Sequence, residues 1–160
     1  MFVPKTEATD PDALVAEGLG VPASFARQSR HAIEEVFKDR PVGLIHVTAF
    51  IFNNADLPQF KPFVDWIKQR KSVIARGFRL PKYIMKTLEQ MSEGGCKPIW
   101  YGRILRLDGE VCYEMLAAIA AVLLYMARVY SRHGVWTILE EGAGVGDIHI
   151  VFKGENNVVQ

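Results

Sequence analysis

The most apolar run of this 160-residue sequence is MLAAIAAVLLYMA, residues 115 to 127, and it contains no charged residue. Its 13 residues are too few to cross a bilayer, because a spanning helix needs about 20. Glu114 precedes the run and Arg128 and Arg132 follow it, so these charges complement the macrodipole of a helix over residues 110 to 132. We therefore predict a long, buried central helix and no membrane span.

Four further segments are typical of β-strands. Residues 42 to 52, VGLIHVTAFIF, are uncharged and rich in β-branched and aromatic residues, which predicts a strand covered on both faces. His46 within it is then expected to be a hydrogen-bonded core histidine. Residues 98 to 107 predict another, interrupted strand. Residues 135 to 139 and 148 to 152 flank the glycine-rich loop EEGAGVGD, and together they predict a C-terminal β-hairpin.

The rest of the chain adds helices and a tail. Residues 1 to 20 are rich in Pro, Thr, Asp and Gly, which favours a flexible N-terminal tail. Residues 21 to 160 are long enough for one substantial core. The prediction is a single globular α+β domain with about four helices and a small mixed or antiparallel sheet. Besides the central helix, apolar residues recur at helical spacing in residues 22 to 38, 59 to 76 and 81 to 93.

Two features bear on the compartment. The N-terminus lacks the basic start, apolar run and cleavage site of a secretory signal. Cys96 and Cys112 do not have CxxC spacing, and we expect both to be reduced, buried and small apolar in character. These features predict a cytoplasmic protein.

Charge is distributed unevenly along the chain, although the formal net charge is only +1. Residues 61 to 106 contain 11 basic residues and 3 acidic residues, which gives this segment a net charge of +8. Such a segment attracts a polyanion unless it is merely a solvated face or acidic residues elsewhere in the fold pair with it. The candidates for contact with an anionic partner are Lys68, Lys71, Arg76, Arg79, Lys82, Lys86, Arg103 and Arg106.

Two kinds of partner fit this basic segment. The first is nucleic acid, bound in a regulatory or accessory role, since residues 59 to 76, 81 to 93 and 98 to 107 have the order of a helix-turn-helix followed by a wing. The second helix lacks a cluster of Asn, Gln and Arg for reading bases, so phosphate contacts are expected to dominate. The second partner is an acidic protein, bound by an adaptor or inhibitor module. The sequence leaves the oligomeric state open, a homodimer included.

Signals for catalysis are few. The four histidines are scattered singly, no serine lies in a GxSxG motif, and neither cysteine has a histidine nearby. We therefore predict a non-catalytic protein with no catalytic residue, no metal site and no cofactor. A third hypothesis is a small enzyme whose pocket gathers distant polar residues such as His46, Asp56 and His149.

Overall fold

The structure is a computed structural model that describes residues 10–38, 40–96, 99–100, 103–104, 109–140 and 147–153. Within these residues the chain forms six helices and five short strands, so the prediction of a single-domain α+β fold is confirmed, with two helices more than expected. In chain order the elements are α1 (Pro11–Leu19), α2 (Ala23–Phe37), β1 (Val42–Gly43), α3 (Leu44–Asn53), α4 (Lys61–Gly77), α5 (Lys82–Ser92), β2 (Ile99–Trp100), β3 (Arg103–Ile104), α6 (Gly109–Arg132), β4 (Thr137–Glu140) and β5 (Ile148–Val151).

Helix α6 lies at the centre of the fold. Residues 115 to 127 are buried apart from the half-buried Ala117 and Tyr125, which confirms the predicted central helix. The helix contacts α1, α3, α4, α5 and β4, so other elements cover it on several sides. Its length and apolar composition are also those of a membrane-spanning helix, but 67% of its most apolar window is buried inside the protein. Buried core helices can have the same length and apolar composition as membrane-spanning helices.

The described strands form two small antiparallel sheets. β4 and β5 make the predicted C-terminal hairpin, with Ile138 opposite Ile150. β1 pairs with the other edge of β5, which gives the strand order β1-β5-β4. Along β5, Ile148 and Ile150 are buried and alternate with half-buried residues, so one face of this strand packs on the core. β2 and β3 pair separately, within the segment that was predicted to be an interrupted strand.

The prediction of a strand over residues 42 to 52 is wrong, because the chain passes from the two-residue β1 directly into α3. Leu44, Val47 and Ile51 are buried, and their spacings of three and four residues define one face of a helix. A short run with few polar residues shows no clear period, so composition alone does not distinguish a strand from a helix. His46 is consequently exposed on α3 and is not a core histidine.

The first turn of α3 is held by a residue from the far end of the chain. Asp147, just before β5, accepts a hydrogen bond on Oδ2 from the backbone N–H of Ile45 at 2.8 Å. A carboxylate in this position satisfies a free N–H and interacts favourably with the helix dipole. Within the helix, the Thr48 hydroxyl donates to the carbonyl of Leu44 at 2.8 Å. The helix thus depends on a contact between residues 102 positions apart, which no local pattern indicates.

The prediction of a flexible tail over residues 1 to 20 is wrong for its second half, which forms α1, while residues 1 to 9 lie outside the described residues. Asp10 caps the helix, because its side chain accepts a backbone N–H of the first turn at 3.1 Å. Gly20 ends the helix in the left-handed conformation, with φ at 74°. Val15 is fully buried, and α1 contacts both α2 and α6. The polar and glycine residues that suggested a tail are therefore partly the caps of a packed helix.

Cys96 and Cys112 form a disulfide that links the chain beyond α5 to the first turn of α6. Their Cα atoms are 5.7 Å apart, an ordinary separation for a disulfide. The expectation of two separate, reduced thiols is therefore wrong, because the fold brings together residues whose spacing matches no redox or metal motif. Disulfides persist mainly in oxidising compartments, and the cytoplasmic location remains a prediction.

Reducing this disulfide is expected to destabilise the protein by at most about 3 kcal/mol, the loop-closure value for a loop of about 15 residues. Thermal melting with and without a phosphine reductant measures the loss. Intact-mass spectrometry under non-reducing conditions should give the mass of a chain that lacks both thiol hydrogens. The control is the Cys96→Ser, Cys112→Ala double variant, whose melting temperature should not respond to the reductant. Two freely titratable thiols in the untreated native protein would contradict the pairing.

Candidate functional site

Helices α4 and α5 carry most of the basic segment and meet at a turn over residues 78 to 81. α4 buries Ile67 and Ile74, and α5 buries Ile84 and Leu88. Both helices contact α6. Because the apolar side of each helix packs inward, the basic residues of both helices are placed mainly on the outer side.

The structure separates the predicted anion-binding residues into groups. Lys71 is half-buried, and its Nζ lies 3.6 Å from Glu114 Oε1 on α6. Arg103 lies in β3, and Arg106 lies outside the described residues. The remaining candidates all have exposed side chains, and they are Lys68, Arg76, Arg79, Lys82 and Lys86.

Four of these exposed cations occupy the end of α4, the following turn and the first half of α5. In the described part of the chain, no carboxylate oxygen lies within 4.0 Å of their charged nitrogens. At the start of α4, by contrast, the charge of Lys61 is compensated, since its Nζ lies 3.2 Å from Asp65 Oδ2. Like charges that have no counter-ion raise the local positive potential, which an external anion lowers. We call this group the basic corner, and its members are Arg76, Arg79, Lys82 and Lys86.

The outer side of α5 changes sign along its length. Lys82 and Lys86 lie one turn apart in the first half of the helix, whereas the exposed Glu89 lies in its second half and the exposed Glu93 directly follows its end. No side chain caps the N-terminus of α5, so its first backbone N–H groups add to the positive potential there. An anion is therefore attracted to the N-terminal end of α5 and repelled by the other end.

A groove of about 480 Å³ lies beside the basic corner, between α4, the turn and α6. Phe78, Leu80 and Met85 give it apolar walls, and Arg76 of the basic corner also lines it. Its volume falls within the range of about 300 to 1,000 Å³ that is typical of small-molecule sites. The residues of α6 that line it are mostly small, and they include Ala117, Ala118 and Ala121.

A second polar cluster lies inside the core, and we call it the buried ion network. Arg30 is 0% exposed and donates to both carboxylate oxygens of Asp12, at 2.9 and 2.8 Å. Its Nη1 donates to Glu34 Oε2 at 3.2 Å. The Tyr130 hydroxyl donates to Asp12 Oδ1 at 2.6 Å, and Trp136 Nε1 donates to Glu34 Oε2 at 2.8 Å. The network joins α1, α2, α6 and the residue that precedes β4.

The network stabilises defined protonation states. Burial would raise the pKa of Asp12, but hydrogen bonds from Arg30 and Tyr130 and the charge of Arg30 together lower it. Burial and the hydrogen bond to Asp12 raise the pKa of Tyr130. At neutral pH Asp12 is therefore ionised and Tyr130 keeps its proton. The cavities of about 480, 370 and 620 Å³ in the described part of the chain are lined by none of the five network residues.

Sequence reasoning did not identify this network. It assigned Asp12 to a tail and attached no role to Tyr130 or Trp136. The only local signal is the spacing of Arg30 and Glu34, which lie one helical turn apart on α2. The bonds from Arg30 and Tyr130 to Asp12 join residues 18 and 118 positions apart, so they exist only once the helices have packed.

Of the three residues suggested for a dispersed active site, His46 and His149 both lie near Asp147 and act electrostatically on its carboxylate, whereas Asp56 lies beyond the other end of α3. His46 lies in the first turn of α3, and Asp56 follows the opposite end of this helix, whose last residue, Asn53, is about 10 Å from His46 along the axis. His149 lies in β5, where its Nδ1 is 3.1 Å from the carbonyl oxygen of Asp147. In the residues that the structure describes, no three His, Cys, Asp or Glu side chains are grouped so that they can hold a metal ion.

In comparisons with known proteins, no protein-family model, curated protein or solved structure matches this chain.

Proposed function

We propose that this chain is a non-catalytic binding protein that engages nucleic acid through the basic corner. The observation that carries the proposal is the set of four exposed cations that have no carboxylate partner among the described residues. Charges that serve only to solvate a helix surface are commonly interspersed with opposite charges. Here the uncompensated charges follow one another along a single bend of the chain.

Phosphate contact accounts for this arrangement better than base reading does. Lys82 and Lys86 are flexible point charges that suit phosphate oxygens, and the free N-terminal N–H groups of α5 suit the same oxygens. Glu89 in the second half of α5 and Glu93 directly after it are exposed, and both would repel the phosphate backbone if the whole helix entered a groove of the duplex. Binding is therefore expected to be mainly electrostatic and largely independent of base sequence.

A specific observation favours a second candidate, an acidic protein partner. Met85 and Met91 on α5 are each 39% exposed, and Met85 lies between the two lysines of the basic corner in the sequence. Methionine and arginine are enriched in protein interfaces. An acidic protein segment with apolar side chains would contact both the cations and these methionines, whereas a phosphate backbone would contact only the cations.

The Lys82→Glu, Lys86→Glu double variant is expected to weaken binding to two unrelated oligonucleotides by similar factors. Each phosphate contact that is lost should reduce the slope of log affinity against log salt by about 0.9 on duplex DNA, or about 0.7 on single strands. Fluorescence anisotropy over a salt series measures both quantities. The matched control is the Arg128→Glu, Arg132→Glu variant, because these exposed residues have the same spacing on α6 and the same change in charge.

Three outcomes reject the proposal. The first is no binding by the wild type at about 50 mM salt, where the electrostatic term is strong. The second is an equal loss of affinity in the control variant, which would indicate an effect of net charge alone. The third is capture of an acidic peptide without any binding of nucleic acid, which would favour the protein-partner candidate.

A further inference from the structure

We propose that the groove between α4, α5 and α6 is a binding site for a small amphipathic carboxylate, a molecule with one anionic head and one apolar body. This site goes beyond the nucleic-acid proposal, because it concerns a concave apolar surface that a phosphate backbone does not fill. The groove measures about 480 Å³, which is room for a molecule the size of a medium-chain fatty acid rather than for a single ion.

The groove exists because α6 presents small side chains where its neighbours are large. Ala117, Ala118 and Ala121 line it from α6, and Ala118 and Ala121 are almost fully buried. A methyl group fills little of the space between packed helices, so neighbouring side chains such as Phe78 and Leu80 enclose a cavity there instead of closing it. An apolar ligand body removes this surface from water, which is favourable by about 25 cal/mol per Å².

The charges that line the groove select an anion. Lys71 and Glu114 both line it and lie 3.6 Å apart, so they largely compensate each other. Arg76 also lines the groove, is exposed, and has no carboxylate partner among the described residues. One uncompensated guanidinium beside an apolar cavity is complementary to one carboxylate. It can donate two parallel N–H···O hydrogen bonds to the carboxylate oxygens. A neutral apolar molecule would leave this arginine unpaired, and a cation would be repelled.

Two hydroxyl groups complete the polar part of the site. Ser72 lines the groove from α4 and Tyr113 lines it from α6. Burial, together with the nearby Glu89, raises the pKa of Tyr113, so its hydroxyl keeps its proton and can donate a hydrogen bond at neutral pH. Both hydroxyls line the same groove as Arg76 and can donate to the remaining lone pairs of a carboxylate bound there.

The test is a titration of the full chain with dodecanoate, its methyl ester and dodecyltrimethylammonium. Calorimetry and the NMR chemical shifts of the groove residues measure binding. Dodecanoate is expected to bind saturably, with one molecule per chain. The other two probes are expected to bind at least about tenfold more weakly, because neither forms a charge-assisted hydrogen bond with Arg76. Arg76→Gln should weaken dodecanoate by about tenfold for the same reason. Arg79→Gln is the matched control, because Arg79 is exposed three residues away and does not line the groove.

A second pair of variants tests the cavity itself. Ala117→Leu fills the groove from a half-buried position, and Ser72→Leu fills it from an exposed position on the opposite wall. Both should abolish saturable dodecanoate binding while the thermal transition stays cooperative, and Ser72→Leu keeps the test valid if Ala117→Leu disturbs packing.

The proposal is overturned if the wild type does not bind dodecanoate saturably, if Arg76→Gln and Arg79→Gln behave alike, or if both filling variants bind normally. Saturable binding of an acidic amphipathic peptide without any binding of dodecanoate also overturns it. Arg79→Gln separates this site from the nucleic-acid proposal, since it should weaken nucleic acid and leave dodecanoate affinity unchanged. Either proposal can therefore fail while the other stands.

Discussion

Replacing Arg30 with methionine is expected to lower the free energy of unfolding by about 3 to 5 kcal/mol, because it removes the one buried cation that Asp12 and Glu34 share. Asp12 is 3% exposed and Glu34 is 9% exposed, so water cannot replace the lost hydrogen bonds. Methionine keeps a long unbranched side chain and a high helix propensity, which limits the loss from packing and from α2 itself. Since a domain of this size is stable by only about 5 to 15 kcal/mol, urea denaturation should show a large shift in the midpoint.

The control for Arg30→Met is Arg27→Met, one turn earlier on the same helix. Arg27 also faces Asp12, with Nε 3.6 Å from Oδ2, but its side chain is 48% exposed. A solvent-exposed pair of this kind contributes at most about 1 kcal/mol. Equal effects of the two substitutions, or a negligible effect of Arg30→Met, would show that the buried ion network does not stabilise the fold.

Acid gives an independent measure of the same network. The pKa of Asp12 is lowered from its ordinary 3.8, since the bonds and charge of Arg30 outweigh burial. A lowered pKa means that the ionised carboxylate stabilises the fold fully above pH 3.8, and that this contribution is lost as the pH falls through the lower, folded-state value. The stability advantage of the wild type over Asp12→Asn should therefore shrink below pH 3.8.

Leu123→Ala is expected to cost about 2 to 5 kcal/mol, the range for removing a fully buried leucine. Leu123 is 0% exposed at the middle of α6, where the helix is enclosed by its neighbours and the cavity cannot be filled by solvent. For a domain of this size each kcal/mol lowers the melting temperature by about 2 to 4 °C. Calorimetry or thermal melting followed by circular dichroism measures the change.

Val73→Ala on α4 is the matched control for this core substitution. Val73 is 56% exposed, so its shortening opens no cavity, and alanine is the better helix former. Its effect should lie within about 0.5 kcal/mol. A near-neutral Leu123→Ala would mean that α6 is not the centre of the core, and it would reopen the question of what covers this apolar helix.

Four of the helices were predictable because each has a signal in its own residues. α2, α4 and α5 alternate apolar and polar residues with the period of a helix, and α6 is bounded by charges that suit its dipole. The C-terminal hairpin was predictable for the same reason, since its strands flank a run of glycines. Of the two helices that were missed, α1 has local caps in Asp10 and Gly20, residue types that are also common in loops, and α3 has no side-chain cap of its own and is held by the distant Asp147.

Composition also located the basic segment, because a count of charges along the chain requires no knowledge of the fold. The count did not indicate which cations are compensated. Lys71 meets Glu114 only because α4 packs on α6, while Arg76 next to the same groove has no such partner among the described residues. The groove itself was not predictable, since alanines in a helix become a cavity only when larger side chains face them.

From residues close together in the chain it was possible to derive the α+β class, the buried central helix, the hairpin and the position of the basic segment. Helical and strand periods and charge counts are local properties, and neighbouring residues are enough to establish them. Five features depend on tertiary packing. They are the packed N-terminal helix, the helical state of residues 44 to 53, the buried ion network, the disulfide and the groove. In each of them a polar, sulfur or small apolar side chain meets residues that are far away in sequence. Inside a low-dielectric core a polar side chain is stable only with such a partner, so the local sequence does not predict where it lies.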